Sequence, residues 1–162
     1  MATELPEQEY PKRKRLRLLG HDYGEPGWAY SLTIRAREGT RPFENRQLAA
    51  EAANTLLTLQ ALSGVGVLAY CIMPDHVHLV CWPPDGSASI PSFARRFKSF
   101  VARTARACGC SDQLWQRYCY DHIVRKSEDL PGICEYVVAN PVRKGLVVEV
   151  EDYPFAAFLG LP

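Results

Sequence analysis

The chain has 162 residues, of which 47% are hydrophobic and 23% charged, a balance typical of one folded domain. No apolar run approaches the roughly 20 residues of a membrane span, and the N-terminus lacks the apolar core of a secretion signal. We therefore expect a cytoplasmic protein with no membrane partner. The formal net charge of +1 excludes strong overall attraction to nucleic acid, so binding of that kind would depend on local basic surfaces.

Residues 1–20 contain the sequence PKRKRLR and are interpreted as a flexible basic arm, followed by a single domain at 21–162. Hydrophobic periodicity and turn residues predict alternating strands and helices in that domain. The predicted elements are a strand at 28–37, a helix capped by Asn45 and ending near 62, strands at 65–73 and 76–82, a helix after Pro91, a strand at 118–124, a helix at 127–139 and a last strand at 146–150. This order fits the α+β plan called ferredoxin-like or split βαβ. We expect an antiparallel sheet with helices on one face and the functional site on the other.

The helix after Pro91 is predicted to be amphipathic. Its apolar stripe consists of Phe93, Phe97, Phe100, Val101, Thr104 and Cys108. The opposite side carries five basic residues, called the basic ridge below: Arg95, Arg96, Lys98, Arg103 and Arg106. A charged surface is usually only solvated, so the ridge by itself is weak evidence for a nucleic-acid partner.

The strand at 76–82 carries two histidines in an otherwise apolar sequence, HVHLVCW. Side chains two positions apart leave a strand on the same face, so His76 and His78 can approach one ligand. Burying two imidazoles without a shared role doubles the desolvation cost, and a divalent metal ion bound by both rings removes that problem. The alternative is that one ring is a hydrogen-bonded core residue and the other is incidental.

Two other enzyme classes with paired histidines do not fit the residues that follow. Histidine-triad nucleotide hydrolases need a third histidine where this chain has Val80. Metallo-hydrolases with the pattern H-x-H-x-D-H need an aspartate and a histidine where it has Val80 and Cys81. This chain therefore lacks the residues that perform the chemistry of either class.

The cysteines are expected to be reduced thiols, because cytosolic proteins rarely keep disulfides. They are Cys71, Cys81, Cys108, Cys110, Cys119 and Cys134. Cys108 and Cys110 have no second pair to complete a zinc site. We interpret all six as structural or incidental.

The sequence MPDHVHLV at 73–80 resembles the motif of the HUH single-tyrosine transposases, in which two histidines lie on a sheet strand. Two downstream blocks, LWQRYCYDHIVRKSEDL at 114–130 and EYVVANPVRKGLVVEVEDYPFAAF at 135–158, are similar to the REP-associated branch of that family. The pattern Y-x-x-x-N-P-V-R-x-G-L-V is the most specific of these, and the resemblance extends over roughly residues 28–158.

The resemblance implies an enzyme that cuts single-stranded DNA through a tyrosine, which becomes joined to the 5′ phosphate and leaves a 3′-OH. By that resemblance Tyr136 is the nucleophile, and His76, His78 and Asn140 hold a divalent ion, Mg²⁺ or Mn²⁺. Residues four apart share a helix face, so Tyr136 and Asn140 can reach one ion together.

The implied partner is single-stranded or hairpin DNA. Its phosphates are expected to contact the basic ridge and the arm residues Lys12, Arg13, Lys14 and Arg15. One alternative is a domesticated relative that recognises repeat hairpins without transposing. Another is an RNA-binding module, although such modules use exposed aromatic residues on the sheet, where this sequence predicts histidines. A monomer and a homodimer are both open.

Overall fold

The computed structural model of the chain describes residue 23 and residues 27–110, 113–125 and 128–161. Within these residues the strands are β1 (Ala29–Ala36), β2 (Gly66–Met73), β3 (His76–Trp82), β4 (Trp115–Val124) and β5 (Ala156–Phe158). The helices are α1 (Arg46–Ser63), α2 (Ile90–Ala107), α3 (Leu130–Val138) and α4 (Asn140–Arg143), with 3₁₀ turns at Pro42–Glu44 and Val150–Asp152. In this part of the chain no helix combines the length and apolarity needed to cross a membrane. The predicted arm at 1–20 lies outside the described residues.

The strands form one antiparallel sheet in the order β4-β1-β3-β2-β5. Helical connections from β1 to β2 and from β3 to β4 leave β1 and β3 side by side at the centre, as the split βαβ plan requires. β2 and β3 form a hairpin across Pro74 and Asp75, with Met73 opposite His76. The predicted α+β fold is confirmed.

Alternation of side chains gives each face of the sheet its own core. On one face, Leu32 and Leu79 belong to the larger cluster that packs against α1 and α2. On the other face, Cys71 and Val80 pack with Val137 of α3. The expected arrangement of helices on one face therefore holds for the two long helices, whereas the apolar side of α3 covers part of the opposite face.

Asn45 begins α1 as predicted. Its Oδ1 accepts hydrogen bonds from the backbone amides of Gln47 and Leu48 at 3.0 and 3.2 Å, which satisfies two amides that have no partner within the helix. The helix ends at Gly64, whose φ of 71° is in the left-handed region that favours glycine.

The apolar stripe of α2 differs from the predicted one. Its buried residues are Ile90, Phe93, Ala94, Phe97, Val101 and Ala105. Phe100 is 40% exposed, and Cys108 lies exposed beyond the helix end. Since a helix turns about 100° per residue, a face centred on Phe97 and Val101 leaves Phe100 at its edge. Ala94 and Ala105 belong to the buried face, and the small side chain of alanine is a weak sequence signal of burial.

The predicted helix at 127–139 begins later and is followed by a second short helix. Asp129 caps α3 by accepting a hydrogen bond from the amide of Gly132 at 3.1 Å. Pro141 ends the regular hydrogen bonding of α3 but also occupies the first turn of α4, where a proline is tolerated. The two helices are separated only by Ala139, which is the C-cap of α3 and the N-cap of α4.

The predicted strand at 146–150 is wrong. Val148 is 80% exposed, and the edge of β2 pairs instead with β5. The Tyr153 hydroxyl donates to the carbonyl oxygen of Ile72 at 2.7 Å and so fastens the segment before β5 against β2. Periodicity alone does not show whether a short apolar sequence such as LVVEV forms a strand, because that depends on whether a neighbouring strand pairs with it.

The cysteines allow a direct test of the fold. Cys71, Cys81, Cys119 and Cys134 are buried, and burial raises the pKa of the Cys71 thiol to about 12 and that of Cys134 to about 11. Thiolate is the reactive form, so these thiols should be inert in the native protein. Cys108 is exposed and Cys110 partly so.

We expect a thiol reagent to modify Cys108 first and Cys110 more slowly, with the other four reacting only after denaturation. Peptide mapping after timed labelling at pH 8 measures this order. Rapid modification of Cys71 or Cys134 in the native protein would contradict the described packing.

Candidate active site

A pocket of about 810 Å³ lies on the sheet face that carries α3. Its lining includes side chains from β1, β3 and β4 and residues of α3 and α4. Four of the residues proposed from the sequence lie together here: His76, His78, Tyr136 and Asn140. His76 and Asn140 are 64 positions apart in the chain, so it is the fold that brings these residues together.

The two histidines converge on one point. The Nε2 atoms of His76 and His78 are 2.9 Å apart, and the rings meet edge to face with centroids 4.6 Å apart. Each ring is held from its other nitrogen: Nδ1 of His76 lies 2.6 Å from Oδ1 of Asp75, and Nδ1 of His78 lies 3.1 Å from Oγ1 of Thr33. Both Nε2 atoms therefore point into the same small volume.

Burial lowers the pKa of both imidazoles. For His78 it lowers the pKa to about 3, with the neighbouring His76 and Arg35 adding to the effect. For His76 burial also lowers the pKa, although the hydrogen bond and charge of Asp75 act against it. Both rings are therefore neutral at physiological pH, which is the state in which imidazole binds metals.

The contact with Asp75 also sets the tautomer of His76. Burial raises the pKa of Asp75, but the contacts with His76, a backbone hydrogen bond and the charge of Arg35 together lower it below its usual value, so its carboxylate is ionised and can only accept. Nδ1 of His76 consequently donates, and Nε2 carries a lone pair. If His78 donates to Thr33 in the same way, two lone pairs face each other at 2.9 Å, and a cation between them relieves the repulsion.

Asp75 and Thr33 were not among the site residues predicted from the sequence. Asp75 lies inside the motif at 73–80, but its contact with Nδ1 of His76 depends on the hairpin turn between β2 and β3. Thr33 is 45 positions from His78, and the antiparallel register of β1 and β3 places the two opposite each other. A carboxylate on the outer nitrogen of a metal-binding histidine is a common supporting contact.

Tyr136 and Asn140 lie at the junction of α3 and α4. Nδ2 of Asn140 donates to the backbone carbonyl oxygens of Tyr136 and Val137 at 3.0 and 3.1 Å. These bonds fix the buried amide and direct its oxygen Oδ1 away from them. The guanidinium carbon of Arg143 lies 4.4 Å from the centre of the Tyr136 ring, close enough for a cation–π contact. The half-buried Tyr136 is thus held through its ring by Arg143 and through its backbone by Asn140.

The donor set fits a divalent ion. Two neutral imidazole nitrogens converge, and Asn140, which carries an amide oxygen, lines the same pocket. Among the described residues, no group of three or more His, Cys, Asp or Glu side chains could hold a metal. A site built on His76 and His78 therefore needs the neutral oxygen of Asn140 or oxygens of a bound substrate to complete it.

The basic residues fall into two separate groups. Arg35, Arg41 and Lys144 line the pocket and were not predicted from the sequence. The basic ridge lies on α2, which packs on the opposite face of the sheet.

Within the ridge, Lys98 is half-buried, and its Nζ donates to the carbonyl oxygens of Gln116 and Arg117 at 2.7 and 3.3 Å. These bonds tie α2 to β4. Arg95, Arg96, Arg103 and Arg106 are exposed. The predicted contacts of Lys12, Arg13, Lys14 and Arg15 lie outside the described residues.

Comparison with known proteins gives three similarities to one group. No family model matches the sequence. The chain is 24% identical over 131 residues to the REP-associated tyrosine transposase of Escherichia coli K12, covering 81% of this chain and 75% of that protein. It is 30% identical over 101 residues to a Haemophilus influenzae protein named as a candidate of the same kind, covering 56% of this chain and 57% of the relative.

A solved structure of a REP-associated tyrosine transposase bound to a REP hairpin has the same fold. Its TM-score is 0.68 at 24% identity, with 88% of this chain and 83% of that chain covered. The similarities confirm the predicted resemblance to the REP-associated tyrosine transposases.

Proposed function

We propose that the protein is a metal-dependent single-stranded DNA endonuclease and strand transferase that forms a 5′-phosphotyrosine intermediate on hairpin or repeat DNA. The observation that carries this proposal is that Tyr136 and two histidines with converging Nε2 atoms line one pocket. Positive charge from Arg35 and Lys144 at the same pocket suits a phosphate substrate.

In the proposed reaction, the phenolic oxygen of Tyr136 forms a bond to phosphorus while the bond between phosphorus and the 3′ oxygen breaks. The phenol gives up its proton to solvent, and the departing 3′ oxygen takes one up. The 5′ phosphate stays on the tyrosine, and attack by a 3′-OH reverses the step and joins strands without ATP. Mg²⁺ or Mn²⁺ bound by His76, His78 and Asn140 would polarise the phosphate and stabilise the charge of the transition state.

The residues around the nucleophile would position it. A phenol with a pKa of about 10 is a poor nucleophile at neutral pH, so its orientation toward phosphorus matters. Arg143 packs on the Tyr136 ring, and the bonds from Asn140 to the backbone fix the turn of helix that carries it. Arg35 and Lys144 would bind the nonbridging oxygens of the phosphate.

Hairpin DNA is the proposed partner, because a related protein of the same fold has been solved bound to a REP hairpin. The single strand next to the hairpin would enter the pocket. The duplex stem would reach the basic ridge around β4, since the Lys98 bonds to that edge strand hold α2 beside it.

Trapping the covalent intermediate tests the proposal. The protein is incubated with labelled hairpin DNA carrying single-stranded flanks, in Mg²⁺ or Mn²⁺ and in EDTA. The expected result is a metal-dependent adduct stable to denaturation, with the modified peptide mapping to Tyr136. Tight hairpin binding without any adduct would instead support the domesticated DNA-binding alternative.

The two basic groups can be separated by salt dependence. Each phosphate contact with single-stranded DNA contributes about 0.7 to the slope of log affinity against log salt concentration. We predict that Arg35→Gln and Lys144→Gln each lower the slope for single strands by about that amount. Arg103→Gln with Arg106→Gln should act mainly on hairpins with a stem. Equal slopes for all variants on both DNAs would mean that neither group contacts phosphate.

A further inference from the structure

The part of the site face that α3 leaves uncovered lies over β1 and β4. α3 packs chiefly on β2, β3 and β5. Beside it, a row of side chains crosses the sheet in register: Cys71, His78, Thr33 and Tyr120 are successive cross-strand neighbours. Tyr120 is half-buried and lines the pocket that holds the histidines. The pocket therefore extends to the edge strand β4.

A second aromatic residue extends this surface along β4. Tyr118 lies where the pairing of β4 with β1 becomes irregular, between Cys119 and Trp115. The next residue, Cys119, is buried in the opposite core, so the side chains of Tyr118 and Tyr120 on either side of it are directed toward the site face. Tyr118 is 42% exposed. The two positions are separated by about 7 Å along the strand, far enough for each ring to take its own base.

Both rings are paired with arginines. The guanidinium carbon of Arg35 lies 5.7 Å from the centre of the Tyr120 ring, and that of Arg117 lies 5.4 Å from the centre of the Tyr118 ring. Aromatic rings beside cations bind single-stranded nucleic acid, because bases stack on the rings and phosphates pair with the charges. The carboxylate of Asp75 also lines the pocket, but it is bonded to His76.

We propose that Tyr120 and Tyr118 form a stacking platform for the bases of single-stranded DNA that leaves the pocket across β4. This inference rests on the proposed function and adds the surface that holds the strand next to the scissile phosphate. RNA-binding modules built on a sheet also stack bases on exposed aromatic residues, and this sheet carries such residues, Tyr118 and Tyr120, together with the histidines. DNA is the favoured occupant because the platform is continuous with the proposed nuclease site.

Binding without cleavage tests the platform. The probe is a labelled oligothymidylate of about 20 nucleotides, measured by fluorescence anisotropy in EDTA so that strand cutting plays no part. Tyr120→Leu and Tyr118→Leu should each weaken binding about tenfold, since one base stack is lost in each. Tyr120→Phe keeps the ring and should bind like the wild type, which separates stacking from a folding defect.

Phe100 provides a matched control. It is also a partly exposed aromatic residue beside an arginine, with the Arg103 guanidinium carbon 5.3 Å from its ring centre, but it lies on α2 across the sheet. Phe100→Leu should leave affinity unchanged. An oligonucleotide with abasic sites should bind weakly and should lose nothing further in the leucine variants.

Other outcomes would overturn the inference in distinguishable ways. Wild-type affinity in both leucine variants, while Tyr136 still forms an adduct, removes the platform and leaves the proposed function standing. Equal losses in Phe100→Leu would show that the effect is not specific to β4. If oligouridylate RNA binds more tightly than the DNA probe, and its binding depends on the two tyrosines, the occupant of the platform is RNA and not DNA. If the wild type does not bind single strands, both the platform and the proposed function are wrong.

Discussion

Replacing Tyr136 with phenylalanine should lower strand cleavage by at least about 10⁴-fold, because the substitution removes the atom that bonds to phosphorus. The aromatic ring stays, so its contact with Arg143 is retained. The hydrogen bonds from Asn140 go to backbone carbonyl oxygens and do not involve the hydroxyl. Losing one neutral hydrogen bond typically costs about 0.5–1.5 kcal/mol, so stability should fall by no more than about 1.5 kcal/mol, and hairpin affinity should be unaffected. Single-turnover cleavage, thermal melting and anisotropy measure the three quantities.

Matched substitutions at other tyrosines show whether the effect belongs to this residue. Tyr118→Phe, Tyr120→Phe and Tyr153→Phe each remove one hydroxyl elsewhere on the molecule. Only Tyr136→Phe should abolish the adduct. If an adduct persists in Tyr136→Phe, or its peptide contains one of the other three, the assignment of the nucleophile is wrong.

The double substitution His76→Ala with His78→Ala should reduce metal-dependent cleavage by more than about a hundredfold. Loss of a supporting contact alone typically costs about 10–100-fold in metal affinity or activity, and here both proposed imidazole ligands are removed. Binding of Mn²⁺, followed by calorimetry or by electron paramagnetic resonance, should weaken in parallel. The strand itself should persist, because Val77 and Leu79 face the opposite core and keep their packing.

His122→Ala is the control for losing an imidazole. His122 lies on β4, its Nε2 is 2.7 Å from Oε1 of Glu128, and it is not among the residues that line the pocket. We expect full metal affinity and cleavage in this variant. Metal-dependent cleavage that survives in the double variant would exclude His76 and His78 as ligands.

Local sequence was sufficient wherever short-range chemistry decides the structure. The alternation of β1 and the cap at Asn45 were readable directly, because strand periodicity and helix capping depend on neighbouring residues. The shared face of His76 and His78 followed from their spacing of two on a strand. The motif around Tyr136 and Asn140 supplied the resemblance, which comparison confirms.

The edge strand β5 and the rotation of α2 were less predictable, because each depends on packing against a partner elsewhere in the chain. β5 forms where Tyr153 fastens the segment to β2, and the more apolar sequence at 146–150 stays outside the sheet. Phe100 is partly exposed because the orientation of α2 is set by packing along Phe97 and Val101. Hydrophobicity alone does not specify that rotation.

The sequence by itself determined the antiparallel α+β plan, the paired histidines and the tyrosine that accompanies them. The tertiary structure alone decided what surrounds them. Register between β1 and β3 brings Thr33 to His78, the hairpin turn brings Asp75 to His76, and the crossing of strands and helices brings Arg35 and Lys144 to the same pocket. These contacts join residues on different elements, and no local pattern encodes them, because sheet register and helix packing are set by the burial of both cores together.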